Sequence, residues 1–300
     1  MTLMLLDSAS LWYRAYFGMP DTLVSPKGMP VNAIRGFLDM TSRLLIKYKP
    51  NRLVACLEGD WRPSWRVELF PDYKSNRLDE TGEEAEPDTL APQIPVLLNI
   101  LDELGIPIIG VDDYEADDLI ATFSVKQKGP IRIVTGDRDL FQLVDDKRDV
   151  MVVYLAKGIS NHDLVDLNWI SAKYCIPGDR YALFAMIRGD SADGLPGIRG
   201  IGEKGAAAIA NQFKTLPEVM TAAESGDERL TPNLRKKLLE NSDYALIAPK
   251  LVSCALDVPV PQMKVDLPGK PASLEKIYAL KEEFGLGASI DRIMSALGWI

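Results

Sequence analysis

Three hundred residues, 47% of them hydrophobic and 26% charged, are long for one compact core and comfortable for a domain with a smaller companion. A net charge of −9 argues, taken alone, against nucleic acid as a partner, although acids gathered into one metal site would make the total misleading. The single histidine, His162, excludes a His-rich metal site and disfavours a serine-type triad, and it reads as a helix-start or surface residue.

In chain order, MTLMLLDSAS comes first. Its apolar stretch is short, lacks a basic leader and runs straight into Asp7, so it reads as a buried strand and not a signal peptide. No apolar run approaches membrane-spanning length. Cys56, Cys175 and Cys254 are widely spaced and fit reduced core positions in a cytoplasmic protein, with neither a disulfide nor a zinc pattern. Strands are expected at 2–6, 52–57, 107–111, 131–135 and 150–154, each a short apolar run bounded by Asp, Gly or Pro. Helical periodicity lies between them at 31–47, 93–104, 115–127 and 139–144. The alternation predicts an α/β domain over 1–170 with a mostly parallel sheet and helices on both faces. Beyond it, helices at 179–187, 203–213, 215–223, 231–240, 243–252, 273–284 and 288–297 predict a helical domain over 171–300, with a Pro-rich connector at 259–271. The acidic stretch DETGEEAEPD at 79–88 fits neither half and reads as a mobile solvent-facing segment or a plain acidic loop.

The acids are placed unevenly. Asp7 ends the first strand, Glu58 the second, with Asp60 two residues on. Glu115, Asp117 and Asp118 open a helix after the third, Asp137 and Asp139 follow the fourth, and Asp190 and Asp193 sit in the turn into the helical half. The carboxyl ends of parallel strands share one rim, so these acids converge. Two carboxylates about 5 Å apart repel by roughly 3 kcal/mol at an effective dielectric near 20. A helix N-terminus offsets only about 0.3–1 kcal/mol of that. Hard divalent cations such as Mg²⁺ or Mn²⁺ would supply the missing counter-charge.

The strings LLDSASLWYRAYF (5–17), GMPVNAIRGFLDM (28–40), WRVELFPDYKSNR (65–77), YEADDLIAT (114–122), IVTGDRDLFQLV (133–144) and IRGDSADGLPGIRGIGEKGAAAI (187–209) resemble the 5′-nuclease or flap endonuclease family, including the 5′ exonuclease domain of bacterial DNA polymerase I. The likeness spans roughly residues 3–250, and since no polymerase domain follows, a free-standing enzyme is expected. It implies a PIN/resolvase-like α/β domain and a helical domain with a helix–three-turn–helix, a helix-hairpin-helix at about 194–210. It implies a first metal group of Asp7, Glu115, Asp117 and Asp137 and a second of Asp139, Asp190 and Asp193, with Asp118 close to both. The family's acid after the second strand falls on Gly59 by count, so Glu58 or Asp60 takes its place; LVACLE favours Glu58.

Tyr73, Lys74 and Arg77 share one side if YKSNR is helical. The resemblance makes this the base of a helical arch whose Lys74 and Arg77 reach the scissile phosphate, with 79–88 the arch or its cap. It makes Arg66 a DNA contact, and Arg199, Gly200, Gly202 and Lys204 a backbone grip on duplex, with a K⁺ ion bridging to phosphate. Gly197, Gly200 and Gly202 permit a tight turn, and a helix opening at Glu203 aims N–H groups at a phosphate. The implied reaction is phosphodiester hydrolysis by two or more metal ions, about 3.5–4 Å apart, leaving a 5′-phosphate. The implied substrates are 5′-flap, nicked or 5′-overhang DNA and RNA–DNA hybrid primers, in replication and repair, by a monomer. Two rivals are weaker. A ribonuclease on a related fold would lack the 194–210 element, and a non-catalytic DNA-structure binder would be expected to lose acids.

Overall fold

In a computed structural model, which describes residues 1–80, 82, 84 and 87–300, a six-stranded sheet forms the centre. Strands β1 (Leu3–Asp7), β2 (Arg52–Cys56), β3 (Ile108–Ile109), β4 (Ile131–Thr135), β5 (Val150–Tyr154) and β6 (Asp163–Val165) lie in the order β3-β2-β1-β4-β5-β6. All neighbours pair in parallel except β5 and β6, which are antiparallel. Side chains alternate between two cores: Leu3 and Leu5 face one, Met4 and Leu6 the other. Burial on both faces is why these strands read as unbroken apolar runs.

Helices α1 (Ser8–Gly18), α2 (Asn32–Tyr48), α3 (Ser64–Leu69), α4 (Gln93–Glu103), α5 (Ala116–Lys126) and α6 (Leu167–Tyr174) surround the sheet. The helical half adds α7 (Tyr181–Arg188), α8 (Glu203–Ala210), α9 (Leu216–Ser225), α10 (Pro232–Glu240), α11 (Ser242–Val252), α12 (Leu274–Glu283) and α13 (Ala288–Ala296). Threonine caps followed by proline in the first turn start α9 and α10.

Several details differ from the sequence expectations. Helix α1 follows β1 without a loop, because Asp7 caps it by accepting from the Ser10 N–H. Strand β6 and helix α6 lie where no element was expected. The run at 107–111 contributes only two strand residues, and 139–144 is a 3₁₀ helix over Asp139–Leu143. The helices expected at 273–284 and 288–297 form, but they do not extend the helical unit. Ile277, Ile290, Ile293 and Met294 are fully buried in the core that contains α2 and β1, so the chain's last segment covers the sheet. An apolar stripe at i, i+3 and i+4 has to be buried, and α2 offers the matching surface. Finally, Cys175 is exposed, whereas Cys56 and Cys254 are buried. His162 starts no helix; its ring lies half-buried beside Tyr48 and hydrogen-bonds the Tyr48 hydroxyl at 2.7 Å. No helix among the described residues is long and apolar enough to cross a membrane.

Candidate active site

The order of the strands reverses at β1, and the carboxyl ends of β1, β2 and β4 open there onto a cleft of about 540 Å³. Asp7, Glu58, Glu115, Asp117, Asp137, Asp139 and Asp193 line it, and Asp190 joins the last three in an adjoining recess. The sheet therefore gathers eight of the nine expected acids around one opening.

Each is aimed by its element. Asp7 accepts from Thr135 Oγ1 at 2.6 Å, a residue at the same level of the neighbouring strand. Glu58 accepts the Ala116 N–H at 2.7 Å, which ties the end of β2 to the start of α5. Asp60, exposed at the mouth of the same cleft, accepts the Asp113 N–H at 3.3 Å, whereas the charges of Glu115 and Asp7 act on Glu58. Asp137 accepts the Asp139 N–H at 2.9 Å, and Asp190 accepts the Ala192 N–H at the same distance.

Two electrostatic classes follow. Asp7, Glu58, Asp117, Asp137 and Asp139 form no ion pair among the described residues. Burial, and then the charge of Asp137, pushes Asp7 up to about 6. Burial, and then Glu115, pushes Glu58 up to about 8. Burial and neighbouring acids hold Asp117 and Asp139 well above the carboxylate range. In contrast, Glu115 accepts from Lys74 Nζ at 2.6 Å and from the Tyr73 hydroxyl at 2.7 Å. Asp193 pairs with Arg77, and Asp190 lies 3.4 Å from Arg188 and 3.5 Å from Arg138.

Asp118 does not belong to the site. It is fully buried, accepts both Nη atoms of Arg66 at 2.7 Å, and also takes the N–H groups of Glu115 and Ala255. The helical period explains this: adjacent Asp117 and Asp118 point about 100° apart, one to the cleft and one to the core. Arg66, expected as a DNA contact, is instead buried and engaged with carboxylates. It is 4% exposed, with its guanidinium spent on Asp118, Glu115 and the Leu251 carbonyl and stacked 4.2 Å from the Trp65 ring.

The YKSNR segment is not a helical face. Residues 71–74 are turn, Lys74 has φ +51°, and a 3₁₀ helix covers only Ser75–Arg77. Lys74 consequently points inward, 5% exposed, with Nζ also 3.2 Å from the Trp61 carbonyl. Burial opposes its charge, but Glu115 and then Asp193 outweigh that and hold its pKa above the ordinary range. Tyr73 is 4% exposed, lines the cleft and donates its hydroxyl to Glu115. Of the expected arch segment at 79–88, residues 81, 83, 85 and 86 lie outside the described residues; among the described ones Leu78 and Glu84 form an antiparallel bridge and no helix.

Among the described residues no group of three acidic, His or Cys side chains is set to hold a metal ion as they stand. The donor set nevertheless suits hard divalent cations. It is all oxygen, and burial, followed by the charge of neighbouring acids, pushes the pKa values of Glu58, Asp117 and Asp139 up, a cost that a bound cation would offset.

On the helical side, α7 and α8 are joined by a turn in which Gly189, Gly194, Gly197 and Gly200 all have positive φ. At Gly197 a Cβ would lie 2.6 Å from the backbone of Arg188 and Gly189, so only glycine closes this turn. Gly202 has an ordinary φ of −83° and open space around it. Arg199 and Lys204 are exposed at its rim. The Gly200 carbonyl accepts from Lys237 Nζ at 2.6 Å.

Residues 2–175 match the family model for the 5′-3′ exonuclease N-terminal resolvase-like domain, and 176–275 that for its C-terminal SAM fold. The chain belongs to the 5′-3′ exonuclease family. A relative from Streptomyces coelicolor named 5′-3′ exonuclease is 49% identical, over 98% of this chain and 99% of its own. Another of that name from Mycobacterium tuberculosis is 39% identical, over 98% and 97%. DNA polymerase I of Geobacillus stearothermophilus is 31% identical over 97% of this chain, which spans 32% of that protein. Among solved structures, T5 5′-exonuclease with bound zinc superposes with a TM-score of 0.65 at 17% identity, covering 99% and 97% of the two chains. The catalytic core of Rad2 in complex with DNA gives 0.58 at 19%, covering 99% and 91%.

Within this 5′-3′ exonuclease the sequence left four partners unnamed. Arg138 and Arg188 attend Asp190 and are legible in hindsight as the basic neighbours in GDRD and IRGD. Thr135 orients Asp7, and Lys237 meets the glycine turn from 37 residues away; no local pattern signals either.

Proposed function

We propose that this 5′-3′ exonuclease is a structure-specific 5′ nuclease that hydrolyses DNA phosphodiester bonds with two or more divalent ions, Mg²⁺ or Mn²⁺. Its substrates are 5′-flap, nicked or 5′-overhang duplexes, with RNA–DNA primers as a further class, and it works as a cytoplasmic monomer in replication and repair. The observation that carries the reading is the set of carboxylates without ion pairs among the described residues: Asp7, Glu58, Asp137 and Asp139 beyond the carboxyl ends of β1, β2 and β4, and Asp117 in the first turn of α5.

Those five, with Glu115, Asp190 and Asp193, would hold the ions. Divalent cations, when bound, supply hydroxide at neutral pH and neutralise charge on phosphoryl oxygens. The chain's own residues do the rest. Arg77, at the rim and 36% exposed, offers a fork of donors to the phosphate beside Asp193. Lys74 has to exchange Glu115 for a phosphoryl oxygen, where one preorganised positive donor counts most against developing charge. Tyr73 keeps Glu115 in place while that exchange occurs. Thr135 and the Ala116 N–H hold Asp7 and Glu58 toward the opening. Arg199, Lys204 and the amides about Gly200 and Gly202 grip duplex phosphates, contacts that position without reading sequence.

The test is cleavage of a duplex carrying a labelled 5′ flap. Flap release with Mg²⁺ or Mn²⁺ and none in EDTA is expected. Metal-independent release, or no cleavage of flap, nicked and overhang substrates in either metal, would overturn the reading.

A further inference from the structure

The last turn of α11 ends at the wall of the acidic cleft, which Leu251, Val252 and Cys254 help to line. The final carbonyls of a helix have no partner within it. Here side chains from the cleft's own elements supply two of them. Arg66 Nε donates to the Leu251 carbonyl at 3.4 Å. Gln142 Nε2 donates to the Val252 carbonyl at 3.3 Å, and Gln142 Oε1 accepts the Cys254 N–H at 3.2 Å. The same Nε2 donates to the Asp139 carbonyl at 2.9 Å. Two carbonyls at one end of the amide and an N–H at the other leave it a single orientation. Leu140 and Phe141 are buried, so the 3₁₀ helix that carries Asp139 is fixed on its core side and tied to α11 by Gln142. Further along, the Ala255 N–H donates to Asp118 at 2.7 Å and the Ala255 carbonyl accepts from Thr122 Oγ1 at 3.2 Å, both residues of α5. The end of α11 thus joins the segment bearing Asp139 to the helix bearing Asp117.

We propose that Gln142 is a positioning residue for the hydrolysis: through its amide, the end of α11 sets where Asp139 stands relative to Asp117. The inference rests on the nuclease reading above and adds to it a residue that would itself hold no ion. Besides being buried, Asp139 faces the charges of Asp137, Asp193 and Asp190, so the segment that bears it needs a tether. The chemistry of that tether is restricted. A lysine at 142 would pair with the acids and neutralise donors that a cation needs, and a glutamate would add to the repulsion. A neutral amide donates and accepts without changing the charge of the cleft. Helix α11 spans about 16 Å, and before its other end Asn241 accepts the Arg199 N–H at 3.3 Å, so one helix reaches from the glycine turn to Asp139.

The experiment applies two readouts to the wild-type protein and to Gln142→Met, which keeps the shape and removes the amide. The first is hydrogen exchange of the backbone amides at 252–255, without DNA, in EDTA and in Mg²⁺. Mg²⁺ should slow this exchange several-fold in the wild-type protein, since coupling between two sites is reciprocal, and should leave it unchanged in Gln142→Met. The second is single-turnover cleavage of a 5′-flap duplex at saturating DNA and Mg²⁺. Its rate should fall roughly 10–100-fold in Gln142→Met, the scale for loss of a group that orients a ligand. Affinity for the same duplex in EDTA should stay within about twofold, because it comes from phosphate contacts elsewhere. Gln142→Asn, one methylene short of the gap, should lose rate in the same way and guards against misfolding of the methionine variant. Wild-type exchange that Mg²⁺ does not alter would overturn the inference without any variant. Equal slowing in Gln142→Met would also overturn it, as would a lowered melting temperature with the saturating rate retained, which would leave the amide a purely structural tie. Failure of the wild-type protein to cleave the flap in Mg²⁺ would overturn the nuclease reading instead.

Discussion

The two edges of the acidic cleft carry the same residue types and do opposite work. Along the edge formed by α3 and the core-facing side of α5, Asp118 and Arg66 neutralise each other out of water, and the Asp118 carboxylate also takes the Glu115 and Ala255 N–H groups. Along the edge formed by the ends of β1, β2 and β4 and the first turn of α5, burial and then mutual repulsion push Asp7, Glu58, Asp117 and Asp139 toward protonation. One edge is a finished electrostatic structure. The other is unstable as an isolated charge set and stores affinity for cations. Lys74 stands between them, buried like the first edge and pointing into the cleft of the second.

The largest expected effects separate the edges directly. Asp139→Asn removes an oxygen donor from the open edge, so flap cleavage in Mg²⁺ should fall to background while denaturant stability stays level or rises. Asp118→Asn instead leaves a buried guanidinium without its carboxylate, which costs about 3–5 kcal/mol. Its activity should be lost only in proportion to unfolded protein. A chemical denaturation curve beside a cleavage assay checks both. Near-normal cleavage by Asp139→Asn, or an unshifted denaturation midpoint for Asp118→Asn, would dissolve the distinction between the edges.

Lys74→Ala sharpens the comparison at its middle. As a donor to the phosphate it should lower the single-turnover rate at saturating DNA by roughly 10²–10³, the scale for loss of one preorganised donor. If Lys74 only braces Glu115, as Arg66 braces Asp118, the melting temperature should drop while the saturating rate recovers. Rate and melting temperature measured on one preparation decide between the two.

The smallest effect concerns pH. Asp7 and Glu58 have folded-state values of about 6 and about 8, both above those of an unfolded chain. The native state thus holds more protons, and its stability contribution is complete below the unfolded values and is lost as pH rises through the folded ones. The melting temperature in EDTA should fall on the order of several degrees between about pH 5 and 8. Mg²⁺ should restore the loss at the upper end, where it replaces the departing protons. A melting temperature that rises through this window would show that the open edge is not under charge strain.

Much of this was legible in the linear chain because it depends on periodicity and on chain order. Unbroken apolar runs alternating with amphipathic stretches required a doubly covered parallel sheet, and acids at the ends of such runs had to share its rim. The capping pattern that starts α1 was present in DSAS but hidden by its closeness to β1. The preference for Glu58 over Asp60 rested on strand pattern, and both side chains line the cleft. What the chain could not specify were the partners reached across long separations. Arg66 meets Asp118 across 52 residues and Lys237 meets Gly200 across 37. A charged residue in a linear sequence has no side; whether it faces core, cleft or solvent is settled only when helices pack and rotate it. Asp117 and Asp118 are chemically identical neighbours, and only the packing of α5 against α3 and the 255 backbone makes one a candidate ligand and the other a buried strut. The same holds for Ile290 and Ile293, whose spacing required some apolar partner but left α2 to be selected by the closing of the fold.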